Sequence, residues 1–238
     1  MCGIFGTICK EAYEQKLDTA IPIMALIMES RGSHSYGISD GQEIIKDVGA
    51  ISSGLTIDMF TGKRELIGHT RHATSGSQTK ENAHPWKFGE GEDSIIGIHN
   101  GIISNEDELN RDHDRKFAVD SQHIFQHILE NKPLREIRGY GAIAFFQHGK
   151  IYLGRFNNGN LAIARTKFGI VFASTQEAVS KAMKMSGLEV ECFYSVEDER
   201  MYVIEEGLLF NCDRDFKFFC AVTNGGVAAF EPFCDRCY

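Results

Sequence analysis

Residues 140–174 read as two consecutive β-hairpins, and no other stretch constrains the fold as tightly. Segments 140–146 and 150–155 flank His148-Gly149, and segments 161–165 and 170–174 flank Lys167-Phe168-Gly169. Strands joined by turns this short pair antiparallel. Further β character lies at 36–39, 43–46, 66–71 and 94–99, and residues 2–8 read as a buried strand with glycines where backbone must approach closely. Helical periodicity marks 11–29, where Leu17, Ala20, Ile21, Met24, Ala25 and Met28 share a face and Pro22 is a candidate kink. A second helix is expected over 120–130, opening at Asp120 and burying Ile124, Phe125, Ile128 and Leu129. A third is expected over 176–185, with a Ser174/Glu177 capping box, a stop at Gly187, and Ala178, Val179, Ala182 and Met183 inward. Hairpins in series, with helices grouped at either end, specify α+β and not alternating βα units.

The 238 residues carry no internal repeat or low-complexity linker, so one main domain over 2–213 is expected. An aromatic tail, 214–238, with Phe218, Phe219, Phe230 and Phe233, is expected to pack on that domain or on a partner. The net charge of -8 argues against a nucleic-acid partner, which needs a basic surface. No apolar run reaches the roughly 18 residues of a membrane span, and no secretory signal is visible. Seven irregularly spaced cysteines suggest reduced thiols and a cytoplasmic location. Cys234 and Cys237 form a CxxC pair open to metal binding or redox exchange, although one such pair supplies only two ligands.

Cys2 follows the initiator methionine, and a side chain this small ordinarily permits that methionine to be trimmed. Cys2 would then carry a thiol and a free α-amino group together, a nucleophile with its own general base; the alternative is a small buried hydrophobe. Asn100-Gly101 follows the apolar run 95–98 and reads either as a pair of oxyanion donors at a strand end or as a hairpin turn. Arg71 ends another strand as a bidentate carboxylate anchor or a surface charge. Asp120 reads as an anchor for an ammonium group or as a helix cap.

Taken together these segments resemble the class II glutamine amidotransferases, whose glutaminase domain is an N-terminal nucleophile hydrolase. The segments are Cys2-Gly3-Ile4-Phe5-Gly6, Arg31-Gly32 through Gly37, Gly68-His69-Thr70-Arg71 through Gly76, Asn82-Ala83-His84-Pro85, His99-Asn100-Gly101 with Glu108-Leu109, Asp120-Ser121-Gln122 and Gly141-Ala142-Ile143-Ala144. They are most similar to the glutaminase domains of glucosamine-6-phosphate synthase and amidophosphoribosyltransferase. The resemblance implies a four-layer αββα sandwich with no cofactor and no metal. It implies that Cys2 attacks the side-chain amide of L-glutamine, with its α-amino group assisting through a water, and that Asn100 and Gly101 stabilise the oxyanion. Arg71 would bind the substrate carboxylate and Asp120 its amino group, with Thr74 and Gly76 lining the pocket. Glutamate and ammonia would result, the ammonia passing to a separate synthase subunit. A noncatalytic glutamine-binding subunit and another amide hydrolase on the same fold are the alternatives. His34, His72 and Ser75 depart from the family pattern and bear on glutamine affinity and loop closure more than on bond breaking.

Overall fold

Alternation along the first strand, β1 (Gly3–Cys9), sets the layering: Ile4 and Ile8 face one core cluster, Phe5 and Cys9 another, and all seven residues are buried. A strand apolar on both faces must be covered on both. The computed structural model, which describes residues 1–9, 17–205, 207–212, 214 and 216–218, places β1 at the centre of a seven-stranded sheet. The order is β11 (Val190–Phe193), β9 (Ala162–Thr166), β10 (Gly169–Ala173), β1, β4 (Glu65–Arg71), β2 (Ser35–Ser39), β3 (Ile44–Val48). A second sheet runs β13 (Leu208–Cys212), β12 (Arg200–Glu205), β8 (Lys150–Phe156), β7 (Gly139–Gln147), β6 (Ile95–Ile103), β5 (Trp86–Phe88). Every pairing in both is antiparallel.

Ile4, Ile67, Ile98, Ala142, Ala144, Leu153 and Phe172 fill the space between the sheets. Helices α1 (Ala20–Glu29) and α5 (Gln176–Met185) cover the outer face of the first sheet, burying Met24, Met28, Val179 and Met183 against Phe5, Leu66 and Val171. On the outer face of the second sheet α4 (Gln122–Leu129) lays Ile124, Phe125 and Ile128 against Phe145. The result is the αββα sandwich. Two glycines admit a ring at close range: within the first sheet a Cβ at Gly68 would stand 2.2 Å from Phe5, its partner across β1 and β4, and between the second sheet and α4 one at Gly97 would stand 2.2 Å from Phe125. Each of these fully buried rings contributes about 1.5–3 kcal/mol.

Several local expectations are corrected. Helix α1 begins at Ala20, and positions 11–16 of the expected helix lie outside the described residues. Pro22 therefore falls in its first turn, where an N–H is not needed and no kink results. Asp120 does not cap α4; Ser121 stands at the N-cap. Helix α5 is capped by Thr175, whose hydroxyl accepts from the Ala178 N–H at 3.2 Å, and not by Ser174. Asn100-Gly101 is neither a turn nor a strand end, because β6 continues to Ile103 with Asn100 opposite Ala142 and Gly101 opposite Gly141. The short helices α2 (Ile51–Gly54) and α3 (Glu106–Asp112) and the strands β5, β11, β12 and β13 extend the expected pattern. Phe216 and Phe218 are buried, Phe218 stacking on Phe156 with centroids 3.6 Å apart, so the packed unit reaches at least Phe218. Phe219, Phe230, Phe233, Cys234 and Cys237 lie outside the described residues. Among the described residues no helix is long and apolar enough to cross a membrane.

Candidate active site

The pairing of β1 with β4 sets Gly3 opposite Thr70, which carries Cys2 to the level of Arg71 and His72. There the Cys2 Sγ accepts from the His72 backbone N–H at 3.3 Å. The Arg31 guanidinium reaches the same strand end, donating through Nε to the Cys2 carbonyl at 2.8 Å. Gly32 makes that reach feasible, since a Cβ there would stand 2.4 Å from the Arg71 carbonyl carbon. Burial pushes the Cys2 thiol above its ordinary pKa, against opposing pulls from the His72 N–H, the chain's amino terminus and Arg71. At neutral pH the group is a thiol and needs a base to become a nucleophile.

A small cleft of about 60 Å³ opens at this point, lined by Met1, Cys2, His72, Thr74, Asn100, Gly101, Ile102, Tyr140 and Asn160. Four of the expected residues, Cys2, Thr74, Asn100 and Gly101, thus meet at one opening, fed by strands from both sheets. Arg71 and Asp120 do not line it. Both are buried behind it, 2% and 5% exposed. Arg71 donates to the Ser77 carbonyl at 3.2 Å and to the Ser75 carbonyl. Asp120 accepts from the Ile103 N–H at 2.7 Å and the Ser121 N–H at 2.8 Å. Ser75 joins the two, because its hydroxyl also lies 3.4 Å from the Asp120 carboxylate. A guanidinium has five donors, so Arg71 retains capacity for a further acceptor.

Gly76 serves the site from behind. Its φ is +69°, and a Cβ would meet the Ala118 carbonyl oxygen at 2.6 Å, two residues before Asp120. Gly76→Ala is expected to lower stability by about 1–3 kcal/mol, the usual cost of a strained backbone. It should raise KM for any ligand held by Arg71 and Asp120 more than it lowers kcat, and steady-state kinetics with a melting curve check both. Asn82, part of the Asn82–Pro85 segment, braces the same loop by donating to the Ser77 carbonyl at 3.1 Å.

Two departures from the family pattern, His34 and His72, stack on one another with centroids 4.6 Å apart, and His34 Nδ1 accepts the Ala73 N–H at 3.0 Å. Their joint effect is to tie the Arg31-Gly32 loop to the cleft wall. Beneath the cleft three histidines are fully buried. His69 stacks on His84 at 3.8 Å, His84 meets Trp86 in a tilted contact at 3.8 Å, and His99 Nδ1 pairs with the Ser121 hydroxyl at 2.7 Å. Burial drives their pKa values down, His69 to about 3, His99 to about 4 and His84 well below the usual value. His69, on β4, and His72, beyond its end, do not act together: one is buried and the other exposed.

Away from the cleft, His113, His127 and Glu136 bring their ligand atoms within 4.8 Å of one another. Lys132 Nζ lies 3.0 Å from His113 Nδ1 and Arg115 Nη1 2.9 Å from His127 Nδ1. His127 Nδ1 also lies 2.8 Å from the His123 carbonyl, and both Nε2 atoms face Glu136, at 3.1 and 3.3 Å, so this trio closes as a hydrogen-bond network.

Sequence reasoning missed Ser77, Tyr140 and Asn160, and took Ser174 for a capping residue. The serines act mainly through backbone carbonyls or as buried bridges, which no spacing rule signals.

No family model matches the chain. Among curated proteins it is 27% identical to glutamine–fructose-6-phosphate aminotransferase [isomerizing] of Bacillus licheniformis over 234 residues, 87% of this chain and 36% of that one. It is 38% identical to the protein of the same name from Aquifex aeolicus over 120 residues, 46% of this chain and 18% of that one. The chain therefore spans about a third or less of the curated relatives' length. Among solved structures, glutamine phosphoribosylpyrophosphate amidotransferase from B. subtilis superposes with a TM-score of 0.66 at 21% identity, over 91% of this chain and 49% of that one. A structure described as the allosteric regulatory enzyme of purine biosynthesis gives 0.68 at 22%, with the same coverage. The solved structures speak for the fold and the curated sequences for kinship: the chain is a homologue of the class II glutamine amidotransferases and has the N-terminal nucleophile hydrolase fold.

Proposed function

We propose that this chain hydrolyses the side-chain amide of L-glutamine through a γ-glutamyl thioester on Cys2, releasing glutamate and ammonia. The observation that carries the reading is the convergence of Cys2, Thr74, Asn100 and Gly101 on one cleft, with Arg71 and Asp120 directly behind it. Removal of Met1, which lines the same cleft, enlarges it and leaves a free amine on Cys2. That amine takes the thiol proton through a water as Sγ bonds to the amide carbon, and returns it to the departing nitrogen as the C–N bond breaks. Water then attacks the thioester, giving glutamate and restoring the thiol. The Asn100 amide and the Gly101 N–H supply the oxyanion donors, each worth roughly 3–4 kcal/mol of transition-state stabilisation.

Substrate binding requires a rearrangement. The carbonyls of Ser75 and Ser77 occupy two Arg71 donors, and a glutamine carboxylate would compete for the same guanidinium. The released ammonia is proposed to pass to a separate synthase subunit. Ammonia release from glutamine, coupled to a glutamate assay, tests the reading. Cys2→Ala should reduce turnover about ten-thousand-fold or more, as loss of a nucleophile does. Turnover that survives the substitution overturns the proposal.

A further inference from the structure

Ser174 follows β10 and is 3% exposed. It clamps Ile4 at two points: its N–H donates to the Ile4 carbonyl at 3.0 Å, and its Oγ accepts the Ile4 N–H at 2.9 Å. Across the sheet interface the same Oγ lies 3.1 Å from the Asn100 side-chain amide, with Nδ2 turned toward it. One hydroxyl therefore links the strand that follows Cys2 to the strand that carries Asn100.

A serine hydroxyl has one proton and two acceptor sites. With Nδ2 facing it, Oγ accepts twice. Among the described residues neither the hydroxyl proton nor Asn100 Oδ1 then has a partner. Leaving the buried hydroxyl proton unpaired is costly, whereas Asn100 Oδ1 opens on the cleft. The two ends of an amide have the same shape, so the hydrogen-bond network decides which end faces Ser174. Half a turn of the amide pairs the hydroxyl proton with Oδ1. The whole –NH2 group then points away from Ser174, toward the cleft that Asn100 shares with Cys2.

We propose that Ser174 is a positioning residue: its hydroxyl, anchored on Ile4, grips Asn100 Oδ1 and aims the Asn100 –NH2 at the oxyanion formed on the Cys2 adduct. The inference rests on reading the cleft as an acyl-transfer site. Ser174 touches no substrate, and it fixes the donor relative to the nucleophile. A donor that acts only on the tetrahedral intermediate affects kcat and leaves KM alone.

Ser174→Ala and Ser174→Thr test it. Loss of the hydroxyl should lower kcat for glutamine hydrolysis about 10- to 100-fold, less than outright loss of an oxyanion donor, with KM changed less than about two-fold. Threonine, which keeps the hydroxyl, should recover most of the rate. Alkylation of Cys2 by iodoacetamide forms no oxyanion, so its rate should not change in Ser174→Ala. In an Asn100→Ala background the Ser174→Ala change should cost less than about two-fold, because the two residues act as one unit. Equal losses in alkylation and turnover, or additive losses in the double variant, overturn the positioning role. An NMR measurement on the wild-type protein decides the pairing independently of activity: strong NOEs from the Asn100 amide protons to the Ser174 β-protons overturn it, and their absence supports it. If the wild type releases no ammonia from glutamine, the glutaminase reading fails, while the NMR result still decides the pairing.

Discussion

A chain extended by a single glycine ahead of Cys2 is expected to lose about a thousand-fold in kcat/KM for glutamine hydrolysis while its thiol remains open to alkylation. Burial holds the Cys2 thiol above its ordinary pKa, so at neutral pH a base must remove its proton during attack. The side chains lining the cleft include one imidazole, His72, whose pKa is depressed first by the nearby amino terminus and whose ring is exposed and stacked on His34. The α-amine of a trimmed Cys2 is nearer than any of these, with an unperturbed pKa of about 7.7–8.0. Acylating it with glycine removes the base, worth roughly a hundred- to ten-thousand-fold. The added residue also fills the space Met1 takes in the cleft. The comparison requires two proteins of identical sequence from Cys2 onward, one released with Cys2 first and one with glycine first, each checked by intact mass. The pH profile adds a second readout. For the trimmed protein kcat/KM should fall on the acid side as the amine protonates, and the extended protein should lose that limb. Equal activity in the two proteins, or a flat profile from pH 6 to 9 in the trimmed one, removes the amine from the mechanism.

The architecture was legible because antiparallel hairpins announce themselves through local pattern. The turns at His148-Gly149 and Lys167-Phe168 sit between β7 and β8 and between β9 and β10, with Gly169 opening β10, and the buried face of α5 is the expected one. Such features depend on residues within a few positions of each other. What misled was also local. Asn-Gly is a turn signal by propensity, yet Asn100-Gly101 stays in β6 because Gly141 lies opposite and leaves room for the His99 ring: a Cβ at Gly141 would stand 2.2 Å from His99 Nε2. Tertiary packing overrides propensity there. Asp120 looked like a cap because capping residues and buried carboxylate anchors have the same composition, and only the Ile103 N–H, brought in by β6, separates them. Ser174 looked like a capping-box residue for the same reason, whereas its partners Ile4 and Asn100 lie 170 and 74 positions away in sequence. Bridges of that length are set by the stacking of two sheets and leave no trace in spacing.

The burial of three histidines under the cleft predicts a protein that fails abruptly in acid. In the folded chain His69, His84 and His99 stay neutral far below pH 6.5, while in the unfolded chain each binds a proton near 6.5. The folded state therefore holds fewer protons than the unfolded state as pH falls below 6.5, and stability drops through that window toward the folded values of about 3 and 4. Above pH 6.5 all three are neutral in both states and contribute no slope. The charges facing them do not reverse the sign. Arg71 faces His69, Arg71 and Lys46 face His84, and the pulls the other way, from the Asp120 carboxylate and the Tyr140 backbone on His99 and from the His99 backbone on His69, are smaller than the effect of burial. Each ring contributes up to about 1.4 kcal/mol per pH unit, so the three together approach about 4 kcal/mol per unit. A fold of ordinary stability, about 5–15 kcal/mol, would unfold within about one to four such units below pH 6.5, on the order of pH 3–5. His84 isolates the effect, because neither of its ring nitrogens is hydrogen-bonded among the described residues and its ring is held by a stack on His69 and a tilted contact with Trp86. Replacing that ring by phenylalanine loses no hydrogen bond and removes one proton-binding site. Urea unfolding of wild type and His84→Phe at pH 8 and pH 5 should show similar stability at pH 8 and a variant more stable by about 2 kcal/mol at pH 5. Parallel losses in the two proteins would assign the acid lability to carboxylates instead of the buried rings.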